Sequence, residues 1–309
     1  MASRANKRSG SPRPALSARR ALTVLSFLAA HPAQEFTISE LVERLEINIS
    51  SLHSVLAVLC EEGYLDRDPK RRTYRLGTTP IAVGQSALEE HPTIVLAREA
   101  TAELAGELGV EAICGIIASQ DLLTIAEAGR PERLMMRPRV GQRLPFMPPL
   151  GILGAGYLDA QAVEAWIDRL GADVEKPARK AYREAAAAAA LRGYQVELET
   201  PTRRQIGPLL PALDLNPRDP ALRAKLRELV IALGHERHTL IDPQAAETYE
   251  INNIQAPVFD TGGRFLAGLT LLGWDEPLSG SQVLDLVHTL TRAAERVTVA
   301  GGGHRPVSV

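Results

Sequence analysis

Three short stretches hold side chains whose types and spacing could do chemistry. His235-Glu236-Arg237-His238 sets two imidazoles three residues apart with a carboxylate between them. Zinc hydrolases of this kind need histidines four apart on one helix, with the glutamate in the middle. Here the second histidine arrives one residue early and follows Gly234, which ends a helix, so the expectation is no metal and two surface-loop histidines. The run Asn48, Ser50, Ser51, His53 and Ser54 offers small polar groups that can bond base edges or phosphates. Asn can meet adenine with two hydrogen bonds. The same Ser50 or Ser51 could instead cap a helix, and Asn48 could be a turn residue. Lys70, Arg71 and Arg72 crown a turn after Asp68-Pro69, with only Asp66 and Asp68 to oppose them; a solvated basic turn is the bland alternative to a phosphate contact.

Other catalytic patterns are missing. The chain has no Gly-x-Ser-x-Gly elbow and no Gly-x4-Gly-Lys-Ser/Thr loop, and Gly151, Gly154 and Gly156 miss the dinucleotide spacing. Cys60 and Cys114 are the only two cysteines and sit in apolar runs, too few for a disulfide framework or a four-thiolate site. The expectation is not an enzyme, with no cofactor.

The elements that must position these groups follow from periodicity. Leu22, Leu25, Phe27 and Leu28 fall at helical spacing before His31-Pro32. Thr37 opens a short helix with Leu41, Val42 and Leu45 on one face. After three or four residues a third helix turns Leu52, Val55, Leu56 and Leu59 inward. Tyr64–Arg67, the Asp68–Arg72 turn and Thr73–Leu76 read as a hairpin. Helix, helix, short turn, helix, basic hairpin is the order of a winged helix-turn-helix. A long helical stretch from Ile81 to Leu108, interrupted near His91-Pro92, follows; a second protomer is its natural packing partner.

Beyond Val110 the pattern alternates. Strands are expected at Ala112–Ser119, Leu122–Glu127, 134–136 and Gln142–Leu144, and helices at Gln161–Leu170 and Ala178–Arg192. Glu199–Pro220, with five prolines, reads as a long surface loop. A helix at Ala221–Gly234, a hairpin of Glu247–Phe259 with Arg264–Leu272, and a last helix from Ser279 to about Ala300 complete an α+β arrangement.

The 309 residues, 45% apolar and 23% charged, suit about two globular domains. No run of eighteen apolar residues exists, so no membrane span is expected, and the N-terminus lacks the apolar core of a secretory signal; a cytoplasmic location is expected. The net charge of −2 is uneven: residues 1–80 hold twelve Lys/Arg against eight Asp/Glu, the rest 23 against 29. Arg4, Lys7, Arg8, Arg13, Arg19 and Arg20 stand among the first twenty residues with no acid. That asymmetry points to a polyanion-facing N-terminal part.

Two stretches resemble one family. Residues 15–84, ALSARRALTVLSFLAAHPAQEFTISELVERLEINISSLHSVLAVLCEEGYLDRDPKRRTYRLGTTPIAVG, are similar to the winged-helix domain of the isocitrate lyase regulator (IclR) family of bacterial transcription factors. Residues 256–273, APVFDTGGRFLAGLTLLG, resemble the end of that family's effector domain. The resemblance covers residues 16–300. It implies a GAF-like C-terminal effector-sensing domain, a homodimer or homotetramer, a double-stranded DNA operator with inverted half-sites, and a small-molecule effector. The domains expected are a flexible basic arm (1–15), a winged helix-turn-helix (16–79), linker or dimerisation helices (80–108), the effector domain (109–300) and a flexible tail (301–309).

On this resemblance the DNA-binding residues are Arg19, Arg20, Asn48, Ser50, Ser51, His53, Ser54, Lys70, Arg71 and Arg72. The effector contacts carry over to Leu150, Gly151, an acid at Asp242 or Glu247, Asn253, Thr270 and Leu272. The sequence departs from the family at Ile49, where a basic or small polar residue is usual, and at Ser54, where Arg is usual. Residues 145–156, PFMPPLGILGAG, lack the family's Gly-Lys-Ala run. Walls so apolar imply a larger, partly apolar ligand rather than a two- or three-carbon acid. The competing reading is a winged-helix protein-interaction module without sequence-specific DNA binding; an unrecognised enzyme has only the His-Glu-Arg-His segment behind it.

Overall fold

The computed structural model describes residues 15–129, 139–171 and 174–306. The expected strand at 134–136, nearly all of the N-terminal arm and the last three residues of the tail lie outside the described residues. The chain divides after Pro80 into two units.

The first unit runs α1 (Leu16–Ala30), β1 (Phe36–Thr37), α2 (Ile38–Leu45), α3 (Ile49–Glu61), β2 (Leu65–Arg67) and β3 (Thr73–Leu76). Thr37 starts α2 with a capping box: its hydroxyl accepts from Glu40 N–H while the Glu40 carboxylate accepts from Thr37 N–H. The Thr37 N–H foremost, and then the Thr37 hydroxyl that also donates to this carboxylate, pull the Glu40 carboxyl below its ordinary range. α2 ends on Glu46 in the left-handed region (φ 52°), and Asn48 already caps α3, so the connecting turn is three residues long. Leu41, Leu45, Leu52 and Leu56 are out of water, each contributing about 1.5–3 kcal/mol by burial. Of the residues at helical spacing on α1, Leu22 is exposed; Val24, Phe27 and Leu28 do the packing. The short β1, which periodicity missed, pairs Phe36 with Tyr74 and makes a three-stranded sheet ordered β1-β3-β2.

The second unit opens with α4 (Thr79–Glu89), in whose first turn the division falls, then α5 (Pro92–Leu108), β4 (Glu111–Ala118), β5 (Asp121–Ala128), β6 (Arg143–Pro145), α6 (Ile152–Ala155), α7 (Ala160–Asp168) and α8 (Lys176–Arg192). It continues through β7 (Gln195–Leu198), α9 (Pro201–Ile206), α10 (Leu209–Leu215), α11 (Pro220–Leu233), β8 (Thr248–Tyr249), β9 (Ile251–Phe259), β10 (Phe265–Leu272), β11 (Leu278–Ser279) and α12 (Gly280–Ala300). The main sheet is ordered β6-β5-β4-β10-β9-β7, each described pairing antiparallel. The fold is α+β.

Two expectations change. The proline-rich segment 199–220 holds α9 and α10 rather than a loop. Pro201 and Pro220 occupy first-turn positions and Pro208 a cap, where the missing N–H costs nothing and the fixed φ suits a helix. The strand expected from Glu247 to Phe259 breaks at Glu250, because Thr248–Tyr249 leaves the main sheet to pair with Leu278–Ser279.

Alternation then sorts the sheet residues. Cys114, Ile254, Ala256, Ala267, Leu269 and Leu271 face α5 and α12 and form one core with Leu104, Val287 and Leu290. Burial pushes the Cys114 thiol up to about 12, an inert core group. A second core gathers α6 to α11 around Trp166 and Tyr182, and Ile117, Leu122, Leu144 and Phe265 pack against it. The strand residues between these sets line a cavity.

Candidate DNA-binding face and ligand cavity

In the first unit the local bonds of α3 decide which side chains are available. Asn48 is the N-cap, its Oδ1 accepting from Ser51 N–H at 2.8 Å. Ser54 Oγ donates to Ser50 O at 3.2 Å, the usual way a serine mid-helix satisfies itself. Ser51 Oγ accepts from Arg20 Nη1 at 2.9 Å, which fixes a guanidinium of α1 beside the first turn of α3. Arg19, one residue earlier, is exposed. Ser50 and His53 are exposed and, among the described residues, make no side-chain hydrogen bond. From Ile49 to Glu61 the helix carries no Lys or Arg.

The hairpin tip is a rigid turn. Asp68 Oδ1 accepts from Lys70 N–H at 2.7 Å and Arg71 N–H at 2.9 Å. These bonds, Arg71's foremost, hold the Asp68 carboxyl below its ordinary range. Arg72 takes a positive φ of 56°, uncommon for a side chain of that size, and its N–H closes the turn on Asp68 O. Lys70, Arg71 and Arg72 are all exposed. Arg75, three residues further on in β3, is instead paired with Glu35 and Asp66.

In the second unit a cavity of about 580 Å³ lies between the sheet and α6, α9 and α10. Its apolar wall is Leu122, Leu144, Leu150, Leu153, Ile206 and Phe265; its polar end is Glu197, Glu199, Arg203, Asn252, Asn253 and Gln255. Register assembles that end: Asn253 sits opposite Leu272 on β10 and Glu197 on β7, while Gln255 sits opposite Thr270 and Gln195. Asn253 Nδ2 donates to Glu197 Oε2 and to Asn252 Oδ1, both at 2.7 Å. Gln255 Nε2 donates to Asn253 Oδ1 at 2.7 Å, and Asn252 Nδ2 to Glu199 Oε2 at 2.8 Å. Arg203, from α9, places Nη2 2.9 Å from Glu197 Oε2, with the two side chains 10% and 4% exposed.

The site residues read from the sequence divide cleanly by position. Leu150, Gly151, Asn253, Thr270 and Leu272 line the cavity. Asp242 and Glu247 do not: they lie on the exposed turn before β8, bonded to Gln244 and Tyr249. The acids in the wall are others, Glu197 and Glu199 nearest the bonded network. Sequence reasoning missed these and Arg203, since β7 and α9 lay in segments without a clear period.

His235 and His238 both lie beyond α11, which ends at Leu233. His235 is exposed, whereas His238 is buried, contrary to the surface-loop expectation, with Nδ1 3.0 Å from Glu236 O. Burial lowers its pKa, against the pull of Glu197 in the other direction. Among the described residues no group of three or more His, Cys, Asp or Glu could hold a metal ion.

Residues 17–69 match the IclR helix-turn-helix domain. The chain is 28% identical over 130 residues to the glycerol operon regulatory protein of Streptomyces griseus, 42% of this chain and 51% of that protein. The match thus spans about half the relative's length. In structure it resembles an IclR transcriptional regulator from Alicyclobacillus acidocaldarius, with a TM-score of 0.65, 20% identity and coverage of 94% and 100% of the two chains. An IclR homolog from Microbacterium hydrocarbonoxydans, complexed with 4-hydroxybenzoate, gives 0.58 at 16% identity, covering 92% and 98%. Residues 17–69 thus form an IclR helix-turn-helix domain, and the chain that carries it shares the fold of IclR transcriptional regulators.

Proposed function

We propose that this protein is a transcriptional regulator that binds operator DNA through its first unit and is modulated by a small molecule in the cavity of its second. The observation that carries the reading is the pairing, in one chain, of the helix-turn-helix at 17–69 with a cavity that has both an apolar wall and a polar end. Lys70, Arg71 and Arg72 supply phosphate contacts from the hairpin tip, and Arg19 and Arg20 add charge at α1. Ser50 and His53 meet base edges; Asn48, Ser51 and Ser54 hold the helix in shape.

The effector is an amphipathic molecule rather than a two- or three-carbon acid. Glu197, Glu199, Glu250 and Glu276 line the cavity with Arg203 and Arg204, so a compact anion would meet net repulsion. A body resting on Leu122, Leu144, Leu150 and Phe265 gains from burial. Leu150, Gly151, Asn253, Thr270 and Leu272 contact it. The protein works as a homodimer or homotetramer: α4 buries none of its residues and exposes Ile81 and Val83, which a second copy would cover. Ligand binding biases the spacing of the paired DNA-binding units, and with it the fraction able to bind.

Fluorescence anisotropy of the full chain against its own upstream DNA and a scrambled duplex, at two salt concentrations, tests the reading. Specific binding that weakens steeply with salt supports it. Replacing Arg71 and Arg72 with Ala lowers the log–log salt slope by about two and weakens all duplexes alike. Equal, weak, salt-insensitive binding to both duplexes, with no sequence recovered by random selection, favours the protein-interaction alternative, which the cation-free α3 would suit.

A further inference from the structure

We propose that Ile49 selects thymine, packing its side chain on the thymine C5 methyl group in the major groove; this rests on the DNA-binding reading above. Ile49 is the first residue of α3 and is 59% exposed. The core beneath it is filled by Leu52, Leu56 and Leu59, so Ile49 has no packing duty in its own unit. Its polar neighbours are largely committed: Asn48 caps the helix, Ser51 accepts from Arg20 and Ser54 bonds Ser50 O. What the first turns of α3 present is therefore Ile49, Ser50 and His53, with Ile49 and His53 one turn apart.

The occupant follows from charge and groove chemistry. Arg20 beside Ser51 and the exposed cations of the hairpin tip belong to the same unit, which suits a polyanion. The first residues of a recognition helix meet base edges, and the thymine methyl is the one apolar group that base edges offer in the major groove. Removing one methyl from water corresponds to about a fourfold change in affinity.

The experiment selects a preferred duplex from a random pool with the full chain, then replaces each thymine singly by deoxyuridine. Anisotropy is read for the wild-type protein and Ile49→Ala. The expected result is one position per half-site where deoxyuridine weakens wild type about fourfold and leaves Ile49→Ala unaffected, with the salt slope of the two proteins equal. Every deoxyuridine affecting both proteins alike overturns the proposal while the DNA-binding reading stands. A pool that yields no preferred duplex overturns both.

Discussion

Arg203 Nη2 lies 2.9 Å from Glu197 Oε2, and neither side chain keeps more than a tenth of its surface in water. The pair joins α9 to β7 at the polar end of the cavity. Removing one partner of such a pair leaves a buried charge without compensation, at a cost of about 3–5 kcal/mol, whereas replacing both by apolar groups is near neutral. Glu197→Ala should therefore lower the unfolding free energy of the second unit, read by urea denaturation, by that amount, and Glu197→Leu with Arg203→Met should restore most of it. Equal loss in the single and double variants would contradict the coupling.

Asn48 is a helix cap, so its replacement should act through stability. Asn48→Ala costs about 1 kcal/mol, and Asn48→Asp or Asn48→Ser little. Binding to every duplex should weaken in step with the lost fold. A change in preferred sequence in Asn48→Ser would instead give Asn48 a base contact.

His238 makes stability depend on pH in a definite direction. Burial lowers its pKa below 6.5, although Glu197 nearby opposes the shift. Below pH 6.5 the unfolded chain takes up a proton that the folded one does not. Stability contributed by the neutral ring is thus complete above that pH and falls as pH drops toward the folded value, at up to about 1.4 kcal/mol per pH unit. Chemical denaturation between pH 5 and 7 should show that slope (roughly the histidine range,), and His238→Gln should flatten it.

Gly268 offers a way to narrow the cavity from its sheet wall. It faces the cavity on β10, and a Cβ there would meet the Phe265 ring at 3.7 Å and Leu153 at 3.9 Å, ordinary contacts. Gly268→Leu should leave DNA binding intact while raising the effector concentration needed to reverse it. An effector that reverses binding equally well in Gly268→Leu and wild type must act elsewhere.

The first unit was legible because its determinants are local. The Thr37-x-x-Glu40 capping box, the three-residue turn to Asn48 and the Asp68-Pro69 hairpin each lie within a few residues of what they fix. β9 and β10 were legible from alternation and the glycines at 262–263. The polar end of the cavity was not. Its carboxylate Glu197 stands on a four-residue strand whose partner, Asn253, is 56 residues away, and its arginine on a helix hidden by prolines. The family resemblance points to Asp242 or Glu247, which lie on an exposed turn outside the cavity wall, whereas the register of β7 on β9 sets Glu197 beside Asn253.

Position 151 separates tolerance from recognition. Gly151 holds φ at +80°, and a Cβ there would sit 2.5 Å from the Phe146 ring, a separation no side chain can keep. A saturation library across residues 145–156 would therefore return glycine alone at 151, whatever ligand or none was present during selection. Scored by depletion, Gly151 would rank beside lining residues with polar side chains such as Asn253, although it has only backbone to offer. Effector specificity in this wall is better mapped by variants that bind a different molecule than by variants that bind nothing.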